Sequence, residues 1–133
     1  MLSNNFSRTL SFFIFPAFVF LLSEFLGIIF DVYSVYWWFD IPMHFLGGVA
    51  ISFMVVLFLK FFKEKKILEI RSKLLFVLTT LAFVVLISVM WEFYEFLRFY
   101  FFGFELGTNV DMTTDLLMGF IGGLVGGIGF RRL

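Results

Sequence analysis

The chain has 133 residues, 62% of them hydrophobic, with a mean hydropathy of +1.04 and ten acidic residues against ten basic ones. This composition is too apolar for a soluble domain of this size and leaves almost nothing outside a bilayer. We therefore expect the lipid bilayer as the main partner and no nucleic acid. The absence of cysteine excludes disulfides, thiolate metal ligands and cysteine nucleophiles.

Four segments, in chain order, are long and apolar enough for transmembrane helices of about 20 residues. They cover residues 10–30, 41–59, 74–98 and 112–130. None shows the alternating pattern of barrel strands, and an open sheet cannot span lipid. The sequence predicts an all-α polytopic membrane protein, a four-transmembrane-helix bundle that forms a single integral membrane domain over residues 1–133. We interpret the first segment as a retained helix, because no small-x-small cleavage site follows it.

The basic residues predict the orientation. Nine of the ten lie at the termini or in the loop 60–73, and Arg98 is the tenth. By the positive-inside rule those regions are cytoplasmic, which gives a multi-pass cell-membrane protein with both termini inside. Eight of the ten acidic residues then fall in the outer half of the molecule. They are Glu24, Asp31, Asp40, Glu92, Glu95, Glu105, Asp111 and Asp115.

Six acid or histidine side chains form three close pairs at the edges of the last three apolar segments. The pairs are Asp40 and His44, Glu92 and Glu95, and Asp111 and Asp115. Spacings of three or four residues place each pair on one helix face. Ionisable groups inside hydrocarbon are costly and usually functional, so the pairs predict a site.

Depth separates two kinds of position within these pairs. Asp40 and Asp111 start helices, where a carboxylate also suits the exposed amides of the first turn. His44 and Asp115 lie one turn deeper, roughly 6 Å at 1.5 Å per residue. They are too deep to be caps, as are Glu92 and Glu95, and we expect all four to point into the bundle.

Carboxylates gathered in an apolar cavity repel one another and need a bound cation, shared protons or Arg98 to relieve the repulsion. One arginine cannot neutralise four or five acids. A divalent metal ion is therefore one interpretation, with His44, Glu92, Glu95, Asp115, Asp40 and Asp111 as candidate ligands. Zn, Mn, Fe, Mg and Ca all suit carboxylates, and one imidazole mildly favours the transition metals. A proton-sharing network and a structural ion-pair cluster stay open.

Three functions are compatible with this site. In the first, an outward-facing metal acts on a lipid headgroup or polyprenyl phosphate at the outer interface, with Glu92 or Glu95 as general base of a metal-dependent hydrolase or transferase. In the second, the site binds a proton, a cation or a small solute for transport or sensing. In the third, the cluster only holds the helices together. No separate cofactor-binding motif is present.

Glycines mark the second and fourth segments. Gly119, Gly122, Gly123, Gly126 and Gly127 give two overlapping small-xxx-small registers, and Gly47 and Gly48 follow His44. Small residues let helix backbones approach closely in lipid. We expect tight packing within the monomer, and a homo-oligomer seam is the alternative.

Three ordered motifs carry the polar residues between about 31 and 127. They are Asp40-Ile-Pro-Met-His44-Phe45-Leu-Gly47-Gly48, Trp91-Glu92-Phe-Tyr-Glu95 and Asp111-Met-Thr-Thr-Asp115-Leu-Leu-Met-Gly119. In this order they resemble the small bacterial YjdF-type inner-membrane proteins, and they are similar to the broader VanZ-like (teicoplanin-resistance) group. The chain lacks the Lys that follows Asp40 in VanZ-like proteins and has Glu95 where Gln is common, which favours the YjdF type. The resemblance implies a polytopic membrane protein with these polar residues as its site, and it assigns no reaction.

Overall fold

The structure is a computed structural model that describes residues 2–104 and 107–132, with side chains from residue 7 onward. Glu105, assigned to the outer half above, lies outside the described residues. The described chain is helical and contains no strand. Its helices are α1 (Leu2–Ser11), α2 (Ile14–Phe30), α3 (Val32–Val35), α4 (Asp40–Glu64), α5 (Lys73–Phe102) and α6 (Asn109–Phe130), with a 3-10 turn at Trp37–Phe39.

Four stretches of this chain are long and apolar enough to cross a membrane, which confirms the predicted four-helix architecture. They are Ser7–Phe30, Trp37–Glu64, Lys73–Phe102 and Asn109–Phe130. The first combines the end of α1 with α2, and the second combines the 3-10 turn with α4. Each stretch contains one of the segments expected from the sequence.

Local sequence explains where α5 begins and ends and where α6 begins. The hydroxyl of Ser72 caps α5 by accepting a hydrogen bond from the backbone N–H of Leu75, at 3.3 Å. The same helix ends at Gly103, whose φ of 72° lies in the left-handed region that glycine tolerates best. Thr108 caps α6 in a reciprocal arrangement with Asp111.

The closest helix contact joins α4 to α6, and glycine makes it possible. A Cβ atom on Gly48 would overlap the carbonyl oxygen of Gly119, and a Cβ atom on Gly122 would overlap that of Phe45. Further inward, a Cβ on Gly126 would overlap the hydroxyl of Ser52. Here backbone meets backbone, as small residues allow in lipid.

The other glycine register of α6 faces α5. A Cβ on Gly123 would lie 2.7 Å from Cγ1 of Val84, and one on Gly127 would lie 3.4 Å from Cγ2 of Thr80. Val84 and Thr80 are fully buried. Both registers are therefore used for packing within the monomer. The side chains that are fully buried are small, while many of the large apolar side chains are exposed, as a lipid-facing surface allows.

The first membrane helix is attached more loosely. It packs mainly on α4, and only 11% of its most apolar stretch is buried, against 33% for the fourth. Near its C-terminal end, Ser23 hydrogen-bonds the hydroxyl of Tyr33. At the opposite end Arg8 forms a two-pronged ion pair with Glu64, at 2.6 and 2.8 Å.

Candidate functional site

The site is built around His44, one turn into α4. Its Nε2 atom lies 3.3 Å from Oδ1 of Asp40, the first residue of the same helix. The four-residue spacing brings the two side chains together on one helix face. The His44 side chain is only 10% exposed, whereas that of Asp40 is 36% exposed, so Asp40 forms the outer rim and His44 the interior.

Asp115 approaches His44 from the neighbouring helix. Its Oδ2 atom lies 3.8 Å from the same Nε2 atom, and the residue is 5% exposed. The approach depends on the glycine contact described above, because Gly48 and Gly119 each lie four residues inward from His44 and Asp115. The tight crossing of the backbones thus places an imidazole and a carboxylate face to face.

Asp40, His44 and Asp115 each offer one donor atom, and these three atoms lie within 4.8 Å of one another. Ligand atoms bound at about 2.0–2.2 Å from one metal ion stand roughly 3–4 Å apart, so these three positions suit a common metal ion. Within the described chain, no other group of three or more acidic or histidine side chains brings its donor atoms this close together.

Glu92 adds an unsatisfied group beside this cluster. It lies on α5, is partly buried and interacts electrostatically with Glu95, His44 and Asp115. Its Oε1 atom is buried and has no hydrogen-bond partner among the described residues. Buried polar atoms are nearly always paired, because leaving one unpaired costs about 1–3 kcal/mol. A cation, a proton or a water molecule would satisfy it.

Glu95 has a protein partner. Its Oε1 atom accepts a hydrogen bond of 2.9 Å from Nε1 of Trp91, one turn earlier on α5. The Trp91 ring in turn stands edge-on to the His44 ring, with centroids 6.2 Å apart. Trp91 therefore links Glu95 to the cluster.

Asp111 has a different role from Asp115. Its Oδ2 atom accepts hydrogen bonds from the backbone N–H and the hydroxyl of Thr108, at 2.8 and 2.7 Å. The Thr108 hydroxyl accepts one from the Asp111 N–H at 3.2 Å. Asp111 is exposed. This capping accounts for its position, and it lies apart from the group formed by Asp40, His44 and Asp115.

Arg98, which could have paired with Glu95 three residues away, instead reaches the first membrane helix. Its Nη1 atom lies 3.0 Å from Oε1 of Glu24, and both side chains are largely buried. Its guanidinium also covers the ring of Phe104, 4.2 Å from the centroid. Arg98 therefore fastens the first helix to the third, and among the described residues no arginine forms an ion pair with His44, Asp40 or Asp115.

A cavity of about 190 Å³ opens beside His44, between α2, α4 and α5. Asp40 and His44 form part of its wall, and so do Ser23 and Ser88, which the sequence analysis did not select. The sequence signal that could have selected Ser23 and Ser88 is the presence of a single serine within an apolar helical segment. The remaining walls are apolar or glycine.

A comparison with known proteins places the chain in a family. Residues 2–133 match the model of the family described as "Predicted membrane protein (DUF2238)", and the chain belongs to that family. No curated protein and no solved structure matches it. Membership is consistent with the resemblance to YjdF-type proteins, and the wider VanZ-like grouping stays a prediction.

Proposed function

We propose that this membrane protein binds one divalent metal ion between Asp40, His44 and Asp115. The observation that carries the proposal is the convergence of three donor atoms, from two helices, within 4.8 Å. A cation there would relieve the repulsion between two carboxylates placed in a low-dielectric setting. One imidazole with two carboxylates suits Zn, Mn or Fe better than Mg or Ca, which prefer oxygen ligands alone.

The site would present this metal for chemistry at the outer membrane interface. Three protein ligands leave coordination positions open for water and for a substrate oxygen. Glu92, whose Oε1 atom is buried without a partner, is the better candidate for the general base. Glu95 already accepts a hydrogen bond from Trp91. The substrate class we infer is a lipid headgroup or polyprenyl phosphate, acted on by hydrolysis or transfer.

Proton or cation binding without a resident metal is the second candidate. A protonated His44 between Asp40 and Asp115, at 3.3 and 3.8 Å, would also reduce the repulsion. Such a network could serve transport or sensing, or only hold the helices together. Metal content separates these alternatives from the first proposal.

The test is elemental analysis of the protein purified in detergent, after exposure to zinc and removal of free metal. We expect one zinc per chain. Affinity should fall by more than about 100-fold in His44→Ala and Asp115→Asn, because the loss of even an outer-shell partner typically costs about 10–100-fold. Asp111→Asn is the matched control on the same helix, and it should keep the metal because Asp111 caps Thr108. Metal-free wild type, or equal content in His44→Ala, would reject the proposal.

We also propose that the site faces the outside of the cell. The nine basic residues at the termini and in loop 60–73 support this orientation. The chain contains no cysteine, so single cysteines report the topology directly. Ser34→Cys and Thr108→Cys should react with an impermeant reagent added to intact cells, and Lys65→Cys should react only after lysis. Labelling of Lys65→Cys alone in intact cells would reverse the orientation.

A further inference from the structure

The cavity beside His44 has a polar part and an apolar part. Fourteen residues line it, and ten of them are apolar or glycine. Its volume of about 190 Å³ exceeds that of an engineered apolar cavity of about 150 Å³ that binds benzene. The space is large enough for several carbon atoms, and Asp40 and His44, two members of the metal cluster, contribute to its wall.

Gly47 keeps this space open. A Cβ atom built on Gly47 meets nothing within 4 Å, whereas one on its neighbour Gly48 would overlap the backbone of Gly119. Close helix packing therefore explains Gly48 but does not explain Gly47. A glycine inside a helix is destabilising relative to alanine, and Gly47 gains no packing in return. Gly47 lines the cavity, so the absence of a side chain there leaves room for a ligand.

The cavity also extends along α4, in the direction that a lipid chain takes in a bilayer. Its wall on α4 runs from Asp40 to Ile51, eleven residues or roughly 16 Å along the helix. That distance is about half of the 30 Å hydrocarbon layer. The polar residues Asp40 and His44 lie at the helix start, and Ala50 and Ile51 lie toward the membrane centre. An amphiphile with its head at the metal cluster would point its chain inward, as it does in a bilayer.

The wall on the side of the first helix is supplied by Pro16, Val19, Phe20 and Ser23. They belong to the membrane helix with the smallest buried share, although Val19 and Ser23 are themselves buried. Phe20 bridges to the third helix through an edge-on contact with Trp91, 5.3 Å between ring centroids. The cavity is partly open, so a chain longer than the cavity can continue outside the bundle.

We propose that this cavity holds the first carbons of the chain of a phosphate-headed membrane lipid, with the phosphate at the metal cluster. The inference rests on the proposed metal site, because carboxylates repel a phosphate unless a bound cation reverses the local charge. Gly47 then determines whether the chain is admitted. The ligand class is a phosphomonoester amphiphile, of either the acyl or the prenyl kind.

Trp91 lines the cavity and can report on the chain. Replacing the exposed Trp37 and Trp38 by Phe leaves Trp91 as the single tryptophan. The probe is dodecyl phosphate brominated near the head, titrated into zinc-loaded protein in detergent. We expect saturable quenching of Trp91 fluorescence that EDTA abolishes. Farnesyl phosphate and lysophosphatidic acid, added as competitors, distinguish the prenyl from the acyl source.

The decisive variant is Gly47→Leu, because Gly47 lines the cavity and a Cβ atom there meets nothing within 4 Å. It should bind zinc as the wild type does and lose the saturable quenching. Gly129→Leu is the matched control, since a Cβ there also meets nothing within 4 Å but lies at the far end of α6, and it should quench normally. If Gly47→Leu does not fold, Ile51→Trp, with Trp91 replaced by Phe and zinc-dependent probe binding measured by calorimetry, fills the same space from the next turn.

Each outcome decides a separate point. Equal quenching in the single-tryptophan protein with and without Gly47→Leu would overturn the assignment of the chain to the cavity. A single-tryptophan protein that binds zinc but shows no saturable quenching would overturn the inference and leave the metal site intact. Wild type that binds no zinc would overturn both. Quenching by brominated dodecylammonium in place of the phosphate would replace the phosphate-headed ligand by a cationic one.

Discussion

The fourth and the first membrane helices are held by opposite means. α6 lies so close to α4 and α5 that only glycine leaves room at Gly48, Gly119 and Gly122. The first helix packs on α4 through aromatic side chains such as Phe12 and Phe15. A few polar side chains add to this contact, and a cavity lies behind the helix. The cluster of Asp40, His44 and Asp115 spans the tight contact, whereas the first helix bounds the cavity. Close packing thus sets the geometry of the cluster, and the cavity lies against the less buried helix.

The largest effect should come from closing the tight contact. Gly48→Ala introduces a methyl group where the carbonyl oxygen of Gly119 lies, so α4 and α6 must separate. Overpacking typically costs about 1–3 kcal/mol and occasionally more. Because this overlap is with backbone, which no rotamer change can move, we expect a loss above about 3 kcal/mol and a matching fall in the thermal unfolding temperature in detergent. Gly47→Ala, one residue away, meets nothing within 4 Å and should not lower it. Equal unfolding temperatures for the two variants would show that the contact between α4 and α6 is wider than described.

An intermediate effect is expected where the loose helix is fastened. Arg98→Met leaves the largely buried carboxylate of Glu24 without its partner at 3.0 Å. Hydrogen bonds to charged groups contribute about 1.5–3 kcal/mol, so we expect a stability loss in that range. The double variant Arg98→Met with Glu24→Leu should recover part of it, because no unpaired charge remains. Unchanged unfolding of Arg98→Met would mean that packing alone holds the first helix.

The smallest effect is expected at the opposite end of the same helix. Arg8 and Glu64 form a well-aligned ion pair, but their side chains are 48% and 51% exposed. Exposed pairs are screened and contribute little, so Arg8→Gln should leave the unfolding temperature nearly unchanged. A fall as large as that of Arg98→Met would show that the first helix is held firmly at both ends, and the contrast with α6 would be weaker.

The sequence predicts the helices well, because long uncharged runs ending at charges or caps leave few alternatives in lipid. It also predicts the pairing of Asp40 with His44, since a four-residue spacing acts within one helix. Contacts between two helices also depend on how each helix is rotated about its own axis. The spacing of residues along the sequence does not give that rotation. For that reason the choice of Glu24 by Arg98, and the different surroundings of the neighbours Gly47 and Gly48, required the structure.

Asp111 and Asp115 show the same limit on a smaller scale. Both follow the same four-residue rule and lie on one face of α6, so the sequence offers both as ligands. Thr108 binds the side chain of Asp111, and the contact between helices brings Asp115 to His44. The position of Thr108 before the helix and the contact between α4 and α6 therefore decide which aspartate is a cap and which is a candidate ligand.

The composition of α6 has a consequence for biosynthesis. Its most apolar stretch is less hydrophobic than those of the other three membrane helices, and it carries Asp115, of a residue type that resists insertion by about 2.5–3.5 kcal/mol at a helix centre. It is also the last of the described helices to leave the ribosome, after the helix that holds His44. Its glycines pack on α4 and α5, and its carboxylate lies beside the imidazole of His44. We therefore expect entry of α6 into the bilayer to be coupled to its packing on α4 and α5, and a chain truncated before α6 to lack both the helix contact and the cluster.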